Sequence, residues 1–261
     1  MKIGICAWVL PGEAIDSFSK ASALGLDGVV IDFGTMDKDN PLLTDYGQQV
    51  FLAEAKKHKI EIPTMAVNLF CDKSMTKADH VSEAKKIMAE AIRVAAAMGI
   101  PKIQVPSFYQ SLIQTEEDLD HTIDVFKFAC QLGEEKGVII GSENIMTINQ
   151  HQRFYSEVTS KSLTTLFDTQ NPWRMLNQDG VKIAAYLAPY VGELHAKDSD
   201  PKIDGFVPLG EGDVGANESM TIFANCGFDG WIQLESMYES EPDFEAYIHE
   251  DIRRIKKIFS R

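Results

Sequence analysis

Hydrophobic and polar positions alternate along this chain on two length scales. Short apolar runs, such as residues 2–8 and 28–32, are each followed by a longer amphipathic stretch. In residues 80–98 the apolar side chains recur at helical spacing, and the pattern stops at Gly99. Buried strands that alternate with amphipathic helices are typical of parallel α/β proteins, so the pattern predicts this fold class.

The complete pattern predicts eight strand–helix pairs. The predicted strands cover residues 2–8, 28–32, 61–67, 102–105, 138–143, 163–168, 191–197 and 231–235. The predicted helices cover residues 12–24, 45–57, 80–98, 119–136, 150–159, 180–188, 219–225 and 243–259. Eight pairs in 261 residues fit a single parallel (β/α)8 TIM barrel better than an open, doubly wound sheet. We therefore predict one barrel domain over residues 1–261.

Composition narrows the classes of function. The formal net charge is −14, and the sequence contains no run of Lys and Arg that could form a basic surface. Nucleic acid and membrane surfaces are therefore not expected partners. The four cysteines form no C-x-x-C pair, which favours free thiols in a reducing cytosol. Because the chain shows neither a cleavable signal pattern nor an apolar run of about 18 residues, we expect a cytoplasmic protein.

Residues at the carboxyl ends of the last four predicted strands indicate chemistry, since TIM-barrel enzymes place their catalytic residues there. These four residues are Glu143, Asp168, His195 and Glu235. Three carboxylates in one barrel mouth would repel one another unless a cation lay between them. The pattern therefore predicts a site for one divalent metal ion, and its mixed oxygen and imidazole ligands suit manganese, cobalt, magnesium or zinc.

The remaining histidines and one lysine refine this prediction. His195 alone follows a strand, whereas the other five histidines lie in or at the start of predicted helices and are expected to be solvated. Those five are His58, His80, His121, His151 and His249. Lys197 shares the strand parity of His195 and should point inward, either to hold a substrate oxygen or to neutralise Glu193 or Asp198.

Five short segments contain or follow these strand ends: Ser-Glu-Asn at 142–144, Leu-Phe-Asp-Thr at 166–169, Glu-Leu-His-Ala-Lys-Asp at 193–198, Pro-Leu-Gly-Glu-Gly-Asp at 208–213 and Gln-Leu-Glu at 233–235. Together they resemble the xylose-isomerase-like TIM-barrel superfamily, which contains sugar phosphate isomerases and epimerases. The resemblance covers essentially the whole chain. Its motifs are specific for the superfamily rather than for one activity.

The resemblance implies a role for each strand-end residue. Glu143, Asp168, His195 and Glu235 would bind one divalent metal ion, and Glu143 and Glu235 would act as paired base and acid in the epimerase branch. One glutamate would remove a proton from the carbon beside a carbonyl, and the other would protonate the opposite face of the enediolate. Lys197 is a third catalytic candidate and also a candidate substrate ligand.

Three more residues are candidate substrate ligands. Trp8 could form an apolar wall of a sugar pocket, with plain barrel packing as the alternative. Asp32 could bind a sugar hydroxyl, or it could be solvated in its loop beside Asp37 and Asp39. Asn171 stands three residues after the strand-6 aspartate, where the epimerase branch typically carries His.

A second departure from the epimerase branch is the absence of Arg in residues 199–202. The leading interpretation is still a metal-dependent isomerase or epimerase of carbohydrate metabolism, acting on a small sugar or keto-polyol through an enediolate. A lyase of the inosose dehydratase type stays open as the alternative. An endonuclease IV-like nuclease is less favoured, because it would need more strand-end histidines, and a catalytically silent sugar-binding barrel is a further alternative.

The charge of two loops predicts that the substrate is unphosphorylated. Phosphate sites in TIM barrels often lie in the loops after strands 7 and 8. Here those loops are acidic, and Lys197 and Lys202 are the basic residues that oppose this charge. Their acidic residues are Asp198, Asp200, Asp204, Glu211, Asp213, Glu239 and Glu241.

Overall fold

The strands form a closed parallel barrel in the computed structural model, which describes residues 1–202, 205–238 and 243–260. In chain order the strands are β1 (Lys2–Cys6), β2 (Gly28–Asp32), β3 (Met65–Ala66), β4 (Lys102–Pro106), β5 (Ile139–Glu143), β6 (Leu163–Asp168), β7 (Val191–Ala196), β8 (Asp198–Asp200), β9 (Gly205–Val207) and β10 (Trp231–Leu234). The barrel runs from β1 through β7 in sequence order and closes through β10 back onto β1. This confirms the predicted α/β class and the (β/α)8 barrel.

Helices follow the barrel strands. They are α1 (Ser17–Ala23), α2 (Asp45–His58), α3 (Leu69–Asp72), α4 (Val81–Met98), α5 (Glu116–Lys136), α6 (Ile148–Glu157), α7 (Asn171–Leu176), α8 (Gly180–Leu187), α9 (Ala216–Asn225) and α10 (Phe244–Phe259). Within the described part of the chain, none of them combines the length and the hydrophobicity that a membrane span requires.

Capping groups explain where the longest helix begins and ends. The Thr115 hydroxyl accepts a hydrogen bond from the Asp118 amide at 3.1 Å, and the Asp118 carboxylate accepts one from the Thr115 amide at 3.0 Å. This reciprocal capping starts α5 at Glu116, three residues before the predicted start. The helix ends at Gly137, whose φ of 72° is accessible to glycine at little cost.

The chain contacts divide the protein into two compact units. The first comprises Met1–Val30, Ala55–Glu61 and Thr165–Arg261, and its core contains Phe18 and Phe223. The second comprises Ile31–Glu54 and Ile62–Thr164, and its core contains side chains such as Phe70, Met88 and Phe126. The assignment of residues 1–261 to one domain stays a prediction.

Several strands are shorter than predicted. β3 covers only Met65–Ala66 instead of residues 61–67, because Pro63 has no amide hydrogen to donate, and Glu61 makes only an isolated bridge to Gly28. β1 ends at Cys6 and a 3-10 turn carries Trp8. β7 and β10 each end one residue earlier than predicted, so that Lys197 and Glu235 directly follow their strands.

Two short features have no counterpart in the predicted pattern. Helix α7 spans six residues, with proline near its start and the left-handed Asn177 at its end. β8 and β9 pair antiparallel, with Ser199 opposite Phe206. Both features are too short for hydrophobic periodicity to reveal them.

One histidine expected to be solvated is buried. His151 on α6 is only 2% exposed and stacks against Tyr155, with 6.3 Å between ring centroids. Burial lowers the pKa of His151 to about 4. The prediction was wrong because His151 shares the buried face of α6 with Phe154, which lies three residues further along the helix. No disulfide joins the four cysteines, all of which the structure describes, as predicted.

Candidate active site

Four side chains at the carboxyl ends of neighbouring strands form a cluster. Glu143 ends β5, Asp168 ends β6, His195 lies near the end of β7 and Glu235 follows β10. One ligand-type atom from each side chain lies within 4.8 Å of the corresponding atoms of the other three. Glu143 and Asp168 are 2% exposed, and His195 is fully buried. The structure thus brings together all four residues that were predicted as metal ligands.

Lys197 contributes a positive charge to this cluster. Its Nζ atom lies 2.9 Å from Asp168 Oδ2 and 2.8 Å from Glu235 Oε2. The lysine is 8% exposed. These ion pairs differ from the predicted alternatives, which were Glu193 and Asp198, since Lys197 reaches across to neighbouring strands. The ammonium group is therefore placed where it can also meet a substrate oxygen.

Both oxygens of Glu235 have partners. Oε1 accepts a hydrogen bond from Trp8 Nε1 at 3.2 Å, while Oε2 lies 3.0 Å from His195 Nδ1 and 2.8 Å from Lys197 Nζ. The contact places Trp8 in the site, although it was predicted as an apolar wall. Its indole N–H donor fixes one carboxylate oxygen without adding a charge.

The two carboxylates beside Lys197 differ in acidity. Burial tends to raise the pKa of Glu235, but Lys197 and His195 outweigh it and hold that pKa well below its ordinary range. Burial raises the pKa of Asp168, and the opposing charge of Lys197 does not fully offset this effect. Glu235 is therefore the stronger acid of the pair and remains ionised near neutral pH.

Glu143 is held by a residue that the sequence analysis did not identify. The amide nitrogen of Gln104 donates a hydrogen bond to Glu143 Oε2. Gln104 lies on β4 and is 1% exposed. The available signal was a polar amide between the apolar Ile103 and Val105 of the predicted strand, which indicates a buried side chain with a specific partner.

Backbone donors orient Asp168. Its Oδ1 atom accepts hydrogen bonds from the backbone N–H groups of Gln170 at 2.8 Å and Asn171 at 2.7 Å. Asn171 is buried, at the first position of α7. The observed contact of Asn171 with the site is thus through its backbone, and a role for its side chain in substrate binding stays a prediction.

Asp32 is less exposed than it would be if it were solvated in its loop, which was the alternative to substrate binding. It is half-buried at the end of β2, and its Oδ1 atom accepts a hydrogen bond from the Asn68 amide at 3.4 Å. Burial raises the pKa of this carboxyl. Asp37 and Asp39 are exposed, so Asp32 differs from them in environment. Its substrate-binding role stays a prediction.

The glycine turn after β7 is organised by Asp198. This carboxylate is 1% exposed, and its Oδ2 atom accepts hydrogen bonds from the amides of Gly210 at 2.8 Å and Gly212 at 3.2 Å. The Asp198 carboxylate therefore stabilises the turn itself. Exposed Glu211 pairs instead with Arg254 at 2.6 Å.

These contacts bear on the predicted charge of the substrate. Asp198 and Glu211 both have partners in the fold, so they contribute less than expected to an acidic surface. Asp204, Glu239 and Glu241, which supported the same prediction, lie outside the described residues. The preference for an unphosphorylated substrate therefore stays a prediction.

Comparisons with known proteins place this site in a family context. A family model described as xylose isomerase-like TIM barrel matches residues 18–258. The 2-epi-5-epi-valiolone 7-phosphate 2-epimerase of Actinoplanes sp. (strain ATCC 31044 / CBS 674.73 / SE50/110) is 28% identical over 222 residues, which cover 84% of this chain and 81% of the relative.

Solved structures show the same fold. A D-tagatose 3-epimerase-like protein superimposes with a TM-score of 0.81 at 18% identity, covering 100% of this chain and 98% of that chain. A xylose isomerase-like TIM barrel protein from Mycobacterium smegmatis in complex with magnesium gives a TM-score of 0.70 at 14% identity, covering 94% and 88% of the two chains. The family match and the enzyme relative confirm the expectation of an enzyme. The chain belongs to the xylose isomerase-like TIM barrel family.

Proposed function

We propose that the protein is a divalent-metal-dependent epimerase or isomerase of a small polyhydroxy carbonyl compound. The observation that carries the proposal is the convergence of Glu143, Asp168, His195 and Glu235, whose ligand-type atoms lie within 4.8 Å of one another. The names of the relatives support it, since one is a valiolone phosphate epimerase and another is D-tagatose 3-epimerase-like.

The donor set fits a divalent cation. The carboxylates of buried Glu143 and Asp168 and of partly buried Glu235 repel one another, and the Lys197 ammonium supplies one positive charge against them. Carboxylate oxygens with one imidazole nitrogen suit manganese, cobalt, magnesium or zinc. When bound, such an ion polarises the substrate carbonyl and makes the neighbouring C–H more acidic. We propose Glu143, Asp168, His195 and Glu235 as its ligands.

The two glutamates are suited to move a proton. Each is oriented by a neutral donor, Gln104 for Glu143 and Trp8 for Glu235, so its direction is set without loss of its negative charge. We assign one glutamate to remove the proton beside the carbonyl and the other to protonate the opposite face. A pair of carboxylates with fixed directions is what such a two-base transfer requires.

We propose that Lys197 stabilises the negative charge that proton removal creates. Proton removal places negative charge on the substrate oxygen, and a preorganised ammonium group stabilises that charge. Lys197 is buried beside Asp168 and Glu235, where water does not weaken the interaction. Trp8 and Asp32 are proposed to contact the remaining hydroxyl groups.

The test starts with protein reloaded with manganese, cobalt, magnesium or zinc. Free ketoses and keto-cyclitols, each with its phosphate ester, are incubated in D2O and followed by ¹H NMR. We expect epimerised or isomerised product, with deuterium at the carbon beside the carbonyl. The free compounds are expected to react more efficiently, and a clear preference for phosphate esters would overturn that part of the proposal.

Variants test the assigned residues. Glu143→Gln and Glu235→Gln should each lose about 10²–10⁴-fold in kcat, because each glutamate is assigned a proton transfer. Glu117→Gln is the matched control, since it removes an exposed carboxylate of α5. Turnover by either site variant at the rate of the control, or turnover without deuterium exchange, would contradict the two-glutamate mechanism.

Dehydration is the second candidate reaction. It is favoured by Asn171, which is buried beside Asp168 where the epimerase branch was expected to carry a histidine. Both reactions begin with the same proton removal and differ in the next step, in which either the carbon is reprotonated or a neighbouring hydroxyl group is protonated and leaves as water. Loss of a hydroxyl group from the product in the NMR assay would replace the epimerase assignment with a lyase.

A further inference from the structure

We propose that Glu193 is a positioning residue that fixes the orientation of the His195 ring. This inference rests on the metal site proposed above and adds a group that is not one of its four ligands. The side chains of Glu193 and His195 both project from β7 and are both fully buried. They are two residues apart in the strand, so they point to the same face.

The His195 ring lies between two carboxylates. Its Nδ1 atom is 3.0 Å from Glu235 Oε2, and its Nε2 atom is 3.7 Å from Glu193 Oε1. Glu235 belongs to the four-residue cluster, whereas Glu193 does not. The ring therefore turns Nδ1 towards the proposed metal ligands and Nε2 towards Glu193.

Histidine ligands of metal ions generally have an outer partner on this side of the ring. A histidine that binds metal through one nitrogen donates the N–H of the other to a carboxylate, a carbonyl or water, and this outer partner fixes the ring and raises its basicity. The 3.7 Å separation is within ion-pair range and longer than a hydrogen bond. A small rotation of the Glu193 side chain would close the gap.

The position of Glu193 is unusual for a carboxylate. Branched apolar residues usually fill the interior of a TIM barrel, and burial of a carboxylate is costly unless it is paired or hydrogen-bonded. Glu193 is 0% exposed and lies within ion-pair range of the His195 ring. A buried carboxylate in this position can set the direction of the imidazole.

A neighbouring residue supplies a matched control. Gln233 on β10 is paired in register with His195 and is also 0% exposed. Among the residues that the structure describes, neither atom of its amide group has a hydrogen-bond partner. Gln233→Met therefore removes a buried polar group of similar size without removing the partner of His195.

The experiment compares wild type, Glu193→Gln, Glu193→Met and Gln233→Met. Titration calorimetry with Zn²⁺ and Mn²⁺ gives the affinity, and ¹⁵N NMR of the histidine rings in the zinc-loaded protein reports the environment of Nε2. We expect both Glu193 variants to lose about 10–100-fold in metal affinity. The Nε2 resonance of His195 should shift in both, while the Gln233 variant behaves as wild type.

Activity separates positioning from catalysis. At saturating metal, kcat of Glu193→Gln should recover most of its loss, because Glu193 is assigned no proton transfer and acts through the metal ligand His195. Unchanged metal affinity in the Glu193 variants, with wild type binding one ion, would overturn this inference and leave the proposed function standing. Wild type that binds no stoichiometric metal would overturn both. Glu193→Gln preserves shape, so it carries the test if the methionine variant does not fold.

Discussion

At the scale of residues, His151 is a histidine that folding keeps uncharged. Burial lowers its pKa to about 4 from 6.5. Between these values the unfolded chain binds a proton at this position that the folded chain does not bind. The free energy of unfolding therefore falls as the pH drops through this window, and the full contribution of neutral His151 is present above about pH 6.5.

This shift predicts a measurable pH dependence of stability. Between pH 7 and pH 5, His151 should reduce the free energy of unfolding by about 2 kcal/mol. Urea unfolding of wild type and His151→Gln at both pH values gives the difference, since other titrations cancel between the two proteins. An equal pH dependence of the two proteins would show that His151 titrates normally in the folded state.

The residues that could be predicted are those whose positions follow from strand geometry. Glu143, Asp168 and His195 were identified because the ends of parallel strands meet at one edge of the barrel. The hydrogen bond from Gln104 to Glu143 and the ion pairs of Lys197 were not predicted. They depend on which neighbouring side chain each polar group reaches, and a strand pattern does not contain that information.

At the scale of elements, the turn after β7 depends on the absence of one side chain. A Cβ atom on Gly212 would clash with the Asp198 carboxylate and with the Ser199 carbonyl oxygen. Neither group can move freely, because Asp198 accepts hydrogen bonds from the Gly210 and Gly212 amides, and the Ser199 carbonyl accepts one from Asp213. The clash would therefore disturb the turn.

Gly212→Ala should accordingly destabilise the protein. We expect a loss of about 1–3 kcal/mol in the free energy of unfolding, as for other overpacked sites. Gly180→Ala is the control, because the nearest atom to its new Cβ would be 3.8 Å away. Chemical denaturation measures both variants, and equal stabilities of the two would show that the turn adapts without cost.

The elements themselves were predicted where they are long and periodic. α4 and β6 have nearly the expected bounds, since their apolar residues recur over many positions or fill a buried strand. β3 was overestimated because Pro63 limits its pairing. Helix α7 and the β8–β9 hairpin were missed, since both are stabilised by local turn geometry and by contacts distant in sequence.

At the scale of the whole molecule, the order of the strands could be predicted from alternation alone. Parallel neighbours need crossover connections, and eight helical connections leave the closed barrel as the simplest arrangement. The division into two compact units was not predicted, because no shift in composition marks its limits. The net charge of −14 likewise describes the whole chain and does not reveal the buried positive charge of Lys197.

That buried ammonium group has a consequence for the life of the newly made chain. Lys197 already offsets part of the negative charge of Asp168 and Glu235 through contacts of 2.9 and 2.8 Å. Some metalloproteins cannot fold until their ion arrives, because the free energy of metal binding supplies their folding free energy. Folding would therefore not have to wait for metal supply, and the ion would enter a finished protein in which Lys197 is already in place.

This argument predicts that removal of metal by a chelator affects the stability of wild type and of Lys197→Met differently. Wild type stripped with EDTA should stay cooperatively folded, whereas stripped Lys197→Met should lose about 3–5 kcal/mol, the usual effect of removing one partner of a buried ion pair. Added metal should restore part of that loss, because a second source of positive charge becomes available. Urea unfolding with and without metal measures the free energy of unfolding of both proteins. If metal-free Lys197→Met is as stable as metal-free wild type, the lysine does not substitute for the charge of the ion. If wild type stays folded without metal, a cell that is short of metal would still accumulate the folded protein, which could bind its ion later.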